Sequence, residues 1–166
     1  GVIDEVEEKM IHGVLALADS SVASVMVPRP DVYWIDLAGK QETIEREIAD
    51  CPYSRIVVAR DGDLGRPLGV VQKKDLVGDL ISGRGIRVEE RLIQPAFVPE
   101  TMPVLRLLET FKISPVHIAF IVDEYGDFLG IATLNDVLEG IAGDLGDEHE
   151  QPSENVVRRP DGSWLV

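Results

Sequence analysis

The feature that most constrains this chain is a seven-residue pattern that occurs twice. Gly69-Val70-Val71-Gln72-Lys73-Lys74-Asp75 and Gly130-Ile131-Ala132-Thr133-Leu134-Asn135-Asp136 share a glycine, an apolar run and a closing acid at a constant offset of 61 residues. Each reads as a short strand running into a helix with a polar first turn. After the second copy, Leu134, Val137, Leu138 and Ile141 fall on one helical face. Thr133 stands where an N-cap would, with Asn135 and Asp136 in the first turn. A hydroxyl, an amide and a carboxylate therefore gather beside backbone N–H groups at the positive end of a helix. Such a corner has two readings. It can hold a ribose and its phosphates, the carboxylate accepting sugar hydroxyls and the N–H groups facing anionic oxygens. It can equally do no more than cap its own helix.

Two copies of one corner imply a tandem repeat, and the flanking residues extend it. In the first copy Val32 to Ile35 is extended, and Thr43 is expected to cap a helix that turns Ile44, Ile48 and Ala49 inward and ends at Cys51-Pro52. Tyr53 to Ala59 is apolar and β-rich enough for a buried strand, Asp61-Gly62-Asp63 turns the chain, and Leu68 to Val71 is the next strand. Lys74 to Ile81 is helical and stops at Gly83 and Gly85. The second copy repeats the order: Leu92 to Val98, a helix over Met102 to Lys112, a strand from His117 to Val122, a turn at Asp123 to Gly126, a strand from Phe128 to Ala132, and the last helix. Ser54-Arg55-Ile56 maps onto His117-Ile118-Ala119 at an offset of 63. The difference of two falls in the hairpin, where the first copy carries the extra Gly65-Arg66-Pro67. The expected fold class is mixed α/β (α+β): two β-α-β-β-α repeats behind an amphipathic N-terminal helix.

That helix spans residues 2 to about 26, with Ile3, Val6, Met10, Val14 and Leu17, then Val22 and Val25, as its apolar positions. Asp4, Glu5, Glu7 and Glu8 occupy its first turns, the end that favours acids. Asp19-Ser20-Ser21 breaks it, Ser20 or Ser21 capping a short second piece, and Val27-Pro28-Arg29-Pro30-Asp31 ends it. Residues 143–154 read as an acidic linker, and Arg158 to Val166 as the start of a new hairpin turning at Asp161-Gly162. A chain that opens inside a helix and stops at the first apolar residues of a hairpin is expected to be a piece of a longer protein.

Composition removes several classes of function. A formal charge of −14 argues against nucleic acid and against anionic lipid, both of which need a basic footprint. No run approaches the roughly 18 apolar residues of a membrane span. A lone cysteine, Cys51, excludes an internal disulfide framework and is read as a small apolar residue before Pro52. His12, His117 and His149 lie far apart, without metal-ligand spacing. Asp144, Asp147, Glu148 and Glu150 have the oxygen chemistry for magnesium, but a solvated acidic tail is the simpler reading. There is no phosphate-binding Gly-x-x-x-x-Gly-Lys loop, no Gly-x-Ser-x-Gly elbow and no Cys/His pair, so the chain does not read as an enzyme.

The repeat with its Gly-φ-φ-Thr-x-x-Asp corner resembles a cystathionine-β-synthase (CBS) domain pair, also called a Bateman module. More narrowly, Val25-Met26-Val27-Pro28-Arg29-x-Asp31-Val32 after an acidic helix is similar to the CorC/HlyC family of magnesium and cobalt efflux or hemolysin-like membrane proteins. So are His117-Ile118-Ala119-x-Ile121-Val122-Asp123-Glu124-Tyr125-Gly126 and Thr133-Leu134-Asn135-Asp136-Val137-Leu138-Glu139. Arg159-x-Asp161-Gly162-Ser163-Trp164 resembles the start of that family's C-terminal transporter-associated domain. The resemblance implies a helical linker at 1–26, CBS repeats at 27–86 and 87–143, an acidic linker at 144–155 and the opening of a further domain at 156–166. It implies a pseudo-twofold pair on the cytosolic face of the inner membrane that forms a homodimer. An adenine nucleotide, ATP or AMP with or without magnesium, would bind between the repeats and regulate an attached transmembrane domain.

By the same resemblance, each cleft joins the corner of one repeat to the lead-in segment and first buried strand of the other. The better cleft takes Ile131, Thr133, Asn135 and Asp136 from the second repeat, with Val27, Arg29, Val32, Tyr53, Ser54 and Arg55 from the first. Asp136 would accept the ribose hydroxyls and Thr133 would bind phosphate. Tyr53 and the valines would flank the base, and Arg29 or Arg55 would neutralise phosphate. In the other cleft Gln72 and Lys73-Lys74 replace the hydroxyl and the small polar residues, opposite Ala96, Val116, His117 and Ile118. That cleft is expected to be empty or weak, its lysines either meeting phosphate or packing in salt bridges. The other class of function open to the chain is a dimerisation or structural module with empty clefts.

Overall fold

A computed structural model describes residues 2–142. The readings made above for residues 143–166 lie outside the described residues. Helix α1 (Val2–Ala18) leads through a short 3-10 turn at Val22–Val25 to β1 (Val27–Pro28) and a second 3-10 turn at Arg29–Asp31. The first repeat is β2 (Trp34–Asp36), α2 (Gln41–Asp50), β3 (Arg55–Ala59), β4 (Gly69–Gln72) and α3 (Lys73–Ile81). A 3-10 turn at Val88–Arg91 precedes the second: β5 (Ala96–Pro99), α4 (Val104–Ile113), β6 (Ile118–Val122), β7 (Phe128–Thr133) and α5 (Leu134–Ala142). The β-α-β-β-α order holds in both copies.

The register makes the repeat quantitative. Arg55 pairs with Gln72 in the first sheet and Ile118 with Thr133 in the second, the same positions at offsets of 63 and 61. Lys73 N–H donates to the Ser54 carbonyl at 2.9 Å, and Leu134 N–H to the His117 carbonyl at 3.1 Å, so both corners close alike. Even the turn before β3 recurs. Cys51 Sγ accepts Tyr53 N–H at 3.4 Å, and Ser114 Oγ accepts Val116 N–H at 3.4 Å. Cys51 thus does a serine's work in a buried turn, at 1% exposure, more deeply covered than its sequence suggests.

The repeats interlock. In the four-stranded sheet, of order β1-β7-β6-β5, β1 arrives ahead of the first repeat but pairs antiparallel with β7 of the second, Val27 opposite Ile131. The three-stranded sheet, β2-β3-β4, receives the reciprocal visit as a bridge between Val70 and Ile93. This exchange explains the two corner glycines. A Cβ on Gly130 would lie 2.2 Å from the Val27 carbonyl oxygen, and one on Gly69 2.8 Å from that of Ile93, both inside van der Waals contact.

Three apolar clusters follow. One, between the sheets, joins Val32, Val57, Ala59, Leu64 and Val70 of the first half to Val116, Ile118, Phe120, Phe128 and Ile131 of the second. Phe120 meets Phe97 and Phe128 edge-on at 5.4 and 5.3 Å. Truncating so central a ring would cost about 3–5 kcal/mol. The others lie under α2 and α3, and under α4 and α5.

Some local expectations need correction. Helix α2 starts at Gln41, not after a Thr43 cap, because the Gln41 side chain bonds the Ile86 carbonyl at 3.0 Å and Glu45 at 3.1 Å. The piece after Ser21 is a single 3-10 turn with no side-chain cap, and Ser24 Oγ donates to the Ser21 carbonyl instead. Val6, expected on the inner face of α1, is 44% exposed.

Candidate ligand-binding site

The period of two along a strand sorts the candidate residues. On β7, Ile131 belongs to the cluster between the sheets while Ala132 faces α4 and α5, so Thr133 shares the inter-repeat face with Ile131. On β3, Val57 and Ala59 face the same layer, so Arg55 does too. Val27 and Val32 border that layer from the lead-in segment. The structure therefore brings Val27, Val32 and Arg55 of the first half and Ile131, Thr133 and Asp136 of the second around one inter-repeat seam.

At the corner, Asp136 N–H donates to Thr133 Oγ1 at 3.0 Å, and Thr133 N–H donates to Asp136 Oδ2 at 3.3 Å. This reciprocal pair is a capping box. It holds the fully buried Thr133 hydroxyl and the half-buried Asp136 carboxylate together at the N-terminus of α5. Asn135 follows in the same turn, partly exposed. Burial lowers the pKa of the Arg55 guanidinium below its ordinary value.

The remaining candidates are placed differently. Tyr53 packs with the first repeat's own helix layer, edge-on to Tyr33 at 6.1 Å, and Ser54 is exposed at the foot of β3. Arg29 runs the other way: the antiparallel register carries it from Val27 toward the Phe128 end of β7. Its guanidinium nitrogens lie 3.3 Å from where a Gly65 Cβ would be. Thr133 is five residues from Phe128, about 17 Å along the strand. Of the two arginines, Arg55 is the one that the strand period turns toward the layer Thr133 shares.

The second seam keeps the closing acid, Asp75, but carries other chemistry at the positions of Thr133, Asn135 and Arg55. Lys73 Nζ donates to the Ala49 carbonyl at 3.4 Å and to that of Cys51, at the C-terminal end of α2. It serves there as a helix-terminal cation rather than as a salt-bridge partner. Gln72 makes no side-chain cap to α3. The counterparts of Tyr53 and Arg55 are Val116 and Ile118, at 1% and 0% exposure.

Sequence reasoning missed two contributors. Met26 lies over Gly130, its Sδ 3.0 Å from a Cβ there, and the His117 carbonyl anchors the first amide of α5. The conserved spacing of the two corner glycines within the chain was the available signal for the first, since a glycine inside a strand marks close backbone approach. Among the described residues no group of three or more His, Cys, Asp or Glu side chains is arranged to hold a metal ion, and no helix is long and apolar enough to cross a membrane.

Two interlocked repeats with exchanged lead-in strands define a CBS-domain pair, and the CBS domain family matches residues 90–143. A UPF0053 protein of Synechocystis is 40% identical over the whole chain, which covers 37% of its length. Hemolysin C of Brachyspira hyodysenteriae is 35% identical over 99% of the chain and 60% of its own length. The polyamine export protein of Escherichia coli is 32% identical over the whole chain and 37% of its own. The CBS domain of the bacterial CNNM/CorC family Mg2+ transporter superposes with a TM-score of 0.72 at 33% identity, over 82% of this chain and 84% of that one. Its complex with ATP gives 0.71 at 34%, covering 82% and 97%. A CBS pair with bound AMP from Klebsiella pneumoniae gives 0.69 at 30%, covering 75% and 100%. The chain belongs to the CorC/HlyC type of CBS-pair proteins. It spans between 31% and 60% of the length of the curated relatives it matches.

Proposed function

We propose that this CBS pair is a regulatory, non-catalytic module that binds an adenine nucleotide, ATP or AMP, in the Thr133–Asp136 seam. What supports the reading is the Thr133–Asp136 capping pair at the end of β7, on the face that Ile131 turns to the layer between the sheets, with Val27 and Val32 along that layer and Arg55 turned toward it by the strand period. A nucleotide asks for those groups. A carboxylate at a helix start accepts the ribose diol, the hydroxyl and the first amides of α5 meet phosphate, and a guanidinium neutralises charge against the acidic background. Solved relatives hold AMP and ATP. Magnesium would arrive on the nucleotide's phosphates.

In the longer protein the module would act as a homodimer on the cytosolic face of the inner membrane, its nucleotide state controlling a transport domain. The solved relatives make magnesium the first cargo to test, and the polyamine exporter makes polyamines the second; cobalt rests on the family resemblance alone. One observation favours the other reading, a dimerisation or structural module with empty clefts. Thr133 and Asp136 already satisfy each other as a cap.

Thermal melting in the presence of AMP, ADP and ATP, each with and without magnesium, separates the two. Saturable stabilisation that disappears in Asp136→Ala supports the nucleotide module, about 2.7 kcal/mol being expected at a hundredfold excess over Kd. An unchanged melting temperature with every nucleotide leaves the structural module.

A further inference from the structure

The segment that brings the chain into the first repeat is built into the second. Val22 N–H donates to the Met102 carbonyl at 2.7 Å, Ala23 N–H to that of Glu100 at 3.3 Å, and Val104 N–H to that of Ser20 at 3.1 Å. Val22 is fully buried among Val104, Leu107, Ala132 and Val137, with Val25, Met26 and Leu134 packed against the same cluster. Val27 then pairs with Ile131, two residues before Thr133 on the same strand. Helix α1, directly upstream, packs on α5 and α4. The strand and the helix that meet at Thr133 are thus gripped, one by Met26 and Val27 and the other by α1, through a single continuous piece of chain.

Next to the Val27 carbonyl, Met26 is the side chain that closes this grip. Its Cγ and Sδ lie 2.8 and 3.0 Å from the position a Gly130 Cβ would take, three residues ahead of the capping threonine. The twin glycine is crossed more loosely. A Cβ on Gly69 would meet the Ile93 carbonyl at 2.8 Å, Gln94 Nε2 at 3.1 Å and Leu92 Cδ2 at 3.4 Å, and what contacts α3 just ahead of Leu92 is the 3-10 turn at Val88–Arg91 rather than a long helix.

We propose that Met26 is a positioning residue for the Thr133–Asp136 corner, and that through it ligand affinity and the placement of α1 are linked. The proposal rests on the nucleotide reading of that corner. A corner moved by its clamp changes its spacing to Arg55 across the seam, and so holds a ligand less well. By reciprocity, a ligand that fixes the corner fixes α1, and a force on α1 from the chain upstream alters affinity by the same factor. A thioether, long and unbranched, can follow small shifts without losing contact.

The test is hydrogen exchange of the whole chain with and without ATP-magnesium, alongside titration calorimetry, on wild type, Met26→Ala and Met26→Leu. The expected result is slower exchange in residues 2–18 on saturation with nucleotide. Met26→Ala should bind about tenfold more weakly and lose most of that protection, while Met26→Leu restores both. A Met26→Ala protein that melts cooperatively and binds with wild-type affinity overturns the proposal and leaves the nucleotide reading intact. Should wild type bind no nucleotide, the linkage is still read without ligand. Met26→Ala should then raise exchange in α1 and in the first turn of α5 together, and a rise confined to either one refutes it.

Discussion

At Thr133 the second repeat closes its corner with a reciprocal pair of hydrogen bonds to Asp136, whereas at Gln72 the first repeat makes no side-chain cap and sends the next lysine away to the end of α2. The backbones match: the same strand register, the same amide to the strand foot, the same glycine beneath a crossing chain. What differs is side-chain chemistry. The strand residue paired with Gln72 is Arg55, whereas its counterpart paired with Thr133 is the apolar Ile118. A duplicated fold has therefore kept two frames, and on the proposed reading it has equipped one. The backbone frame is a requirement of interlocking, and the ligand chemistry is a separate layer placed on it.

The hardest way to break this comparison is at the glycines. Gly130→Ala pushes a methyl into backbone at 2.2 Å and Gly69→Ala at 2.8 Å, the latter also with φ at +156°. Each should destabilise, Gly130→Ala by about 3 kcal/mol or somewhat more and Gly69→Ala by less, in urea unfolding. Next comes Arg55→Ala. It should weaken ATP about tenfold and AMP less, since only the cation is lost; equal losses for the two would detach Arg55 from phosphate. Gln72→Thr tests the opposite direction. It gives the first corner a Thr-x-x-Asp box and should stabilise α3 by about 1 kcal/mol without adding a second nucleotide, because the counterpart of Arg55 is still the uncharged Ile118.

The smallest effect is on acid stability and falls on the first repeat. The Asp36 carboxyl is held below the usual range by the Ala38 amide first, together with those of Gly62 and Asp61. The Asp79 carboxyl is held down by the two-pronged Arg91 guanidinium at 2.5 and 3.0 Å. Folded values below the unfolded ones mean that this stabilisation is complete above the unfolded carboxylate pKa, near 4 to within about half a unit, and is lost as pH falls through the folded values. Melting temperature should drop on acidification below that point, and Asp36→Asn should flatten the drop while lowering the neutral-pH plateau.

Much of the frame was legible because it is local. Glycine, apolar run and acid at one offset are a strand, a corner and a helix wherever they occur, and both turns carry their own signals in Asp61-Gly62 and Gly126. The exchange of lead-in strands was not legible from the residues, since nothing in Val27-Pro28 names β7 as its partner. For the same reason Arg29 and Arg55 looked interchangeable: which end of β7 an arginine reaches is fixed by an antiparallel register over a hundred residues away. Lys73 was open between ligand and structure until the C-terminal carbonyls of α2 appeared beside it. Met26 looked like one more apolar residue of a helix. Only the bare Gly130 beneath it gives it a place.

The measurement that bears most directly on a single equipped corner is calorimetric titration of the chain with ATP-magnesium and with AMP, run on wild type, Asp136→Ala and Asp75→Ala. The account predicts one nucleotide per chain, binding reduced at least about a hundredfold in Asp136→Ala through the loss of two charge-assisted hydrogen bonds, and binding unchanged in Asp75→Ala. Two nucleotides per chain, or equal losses in the two variants, would contradict it.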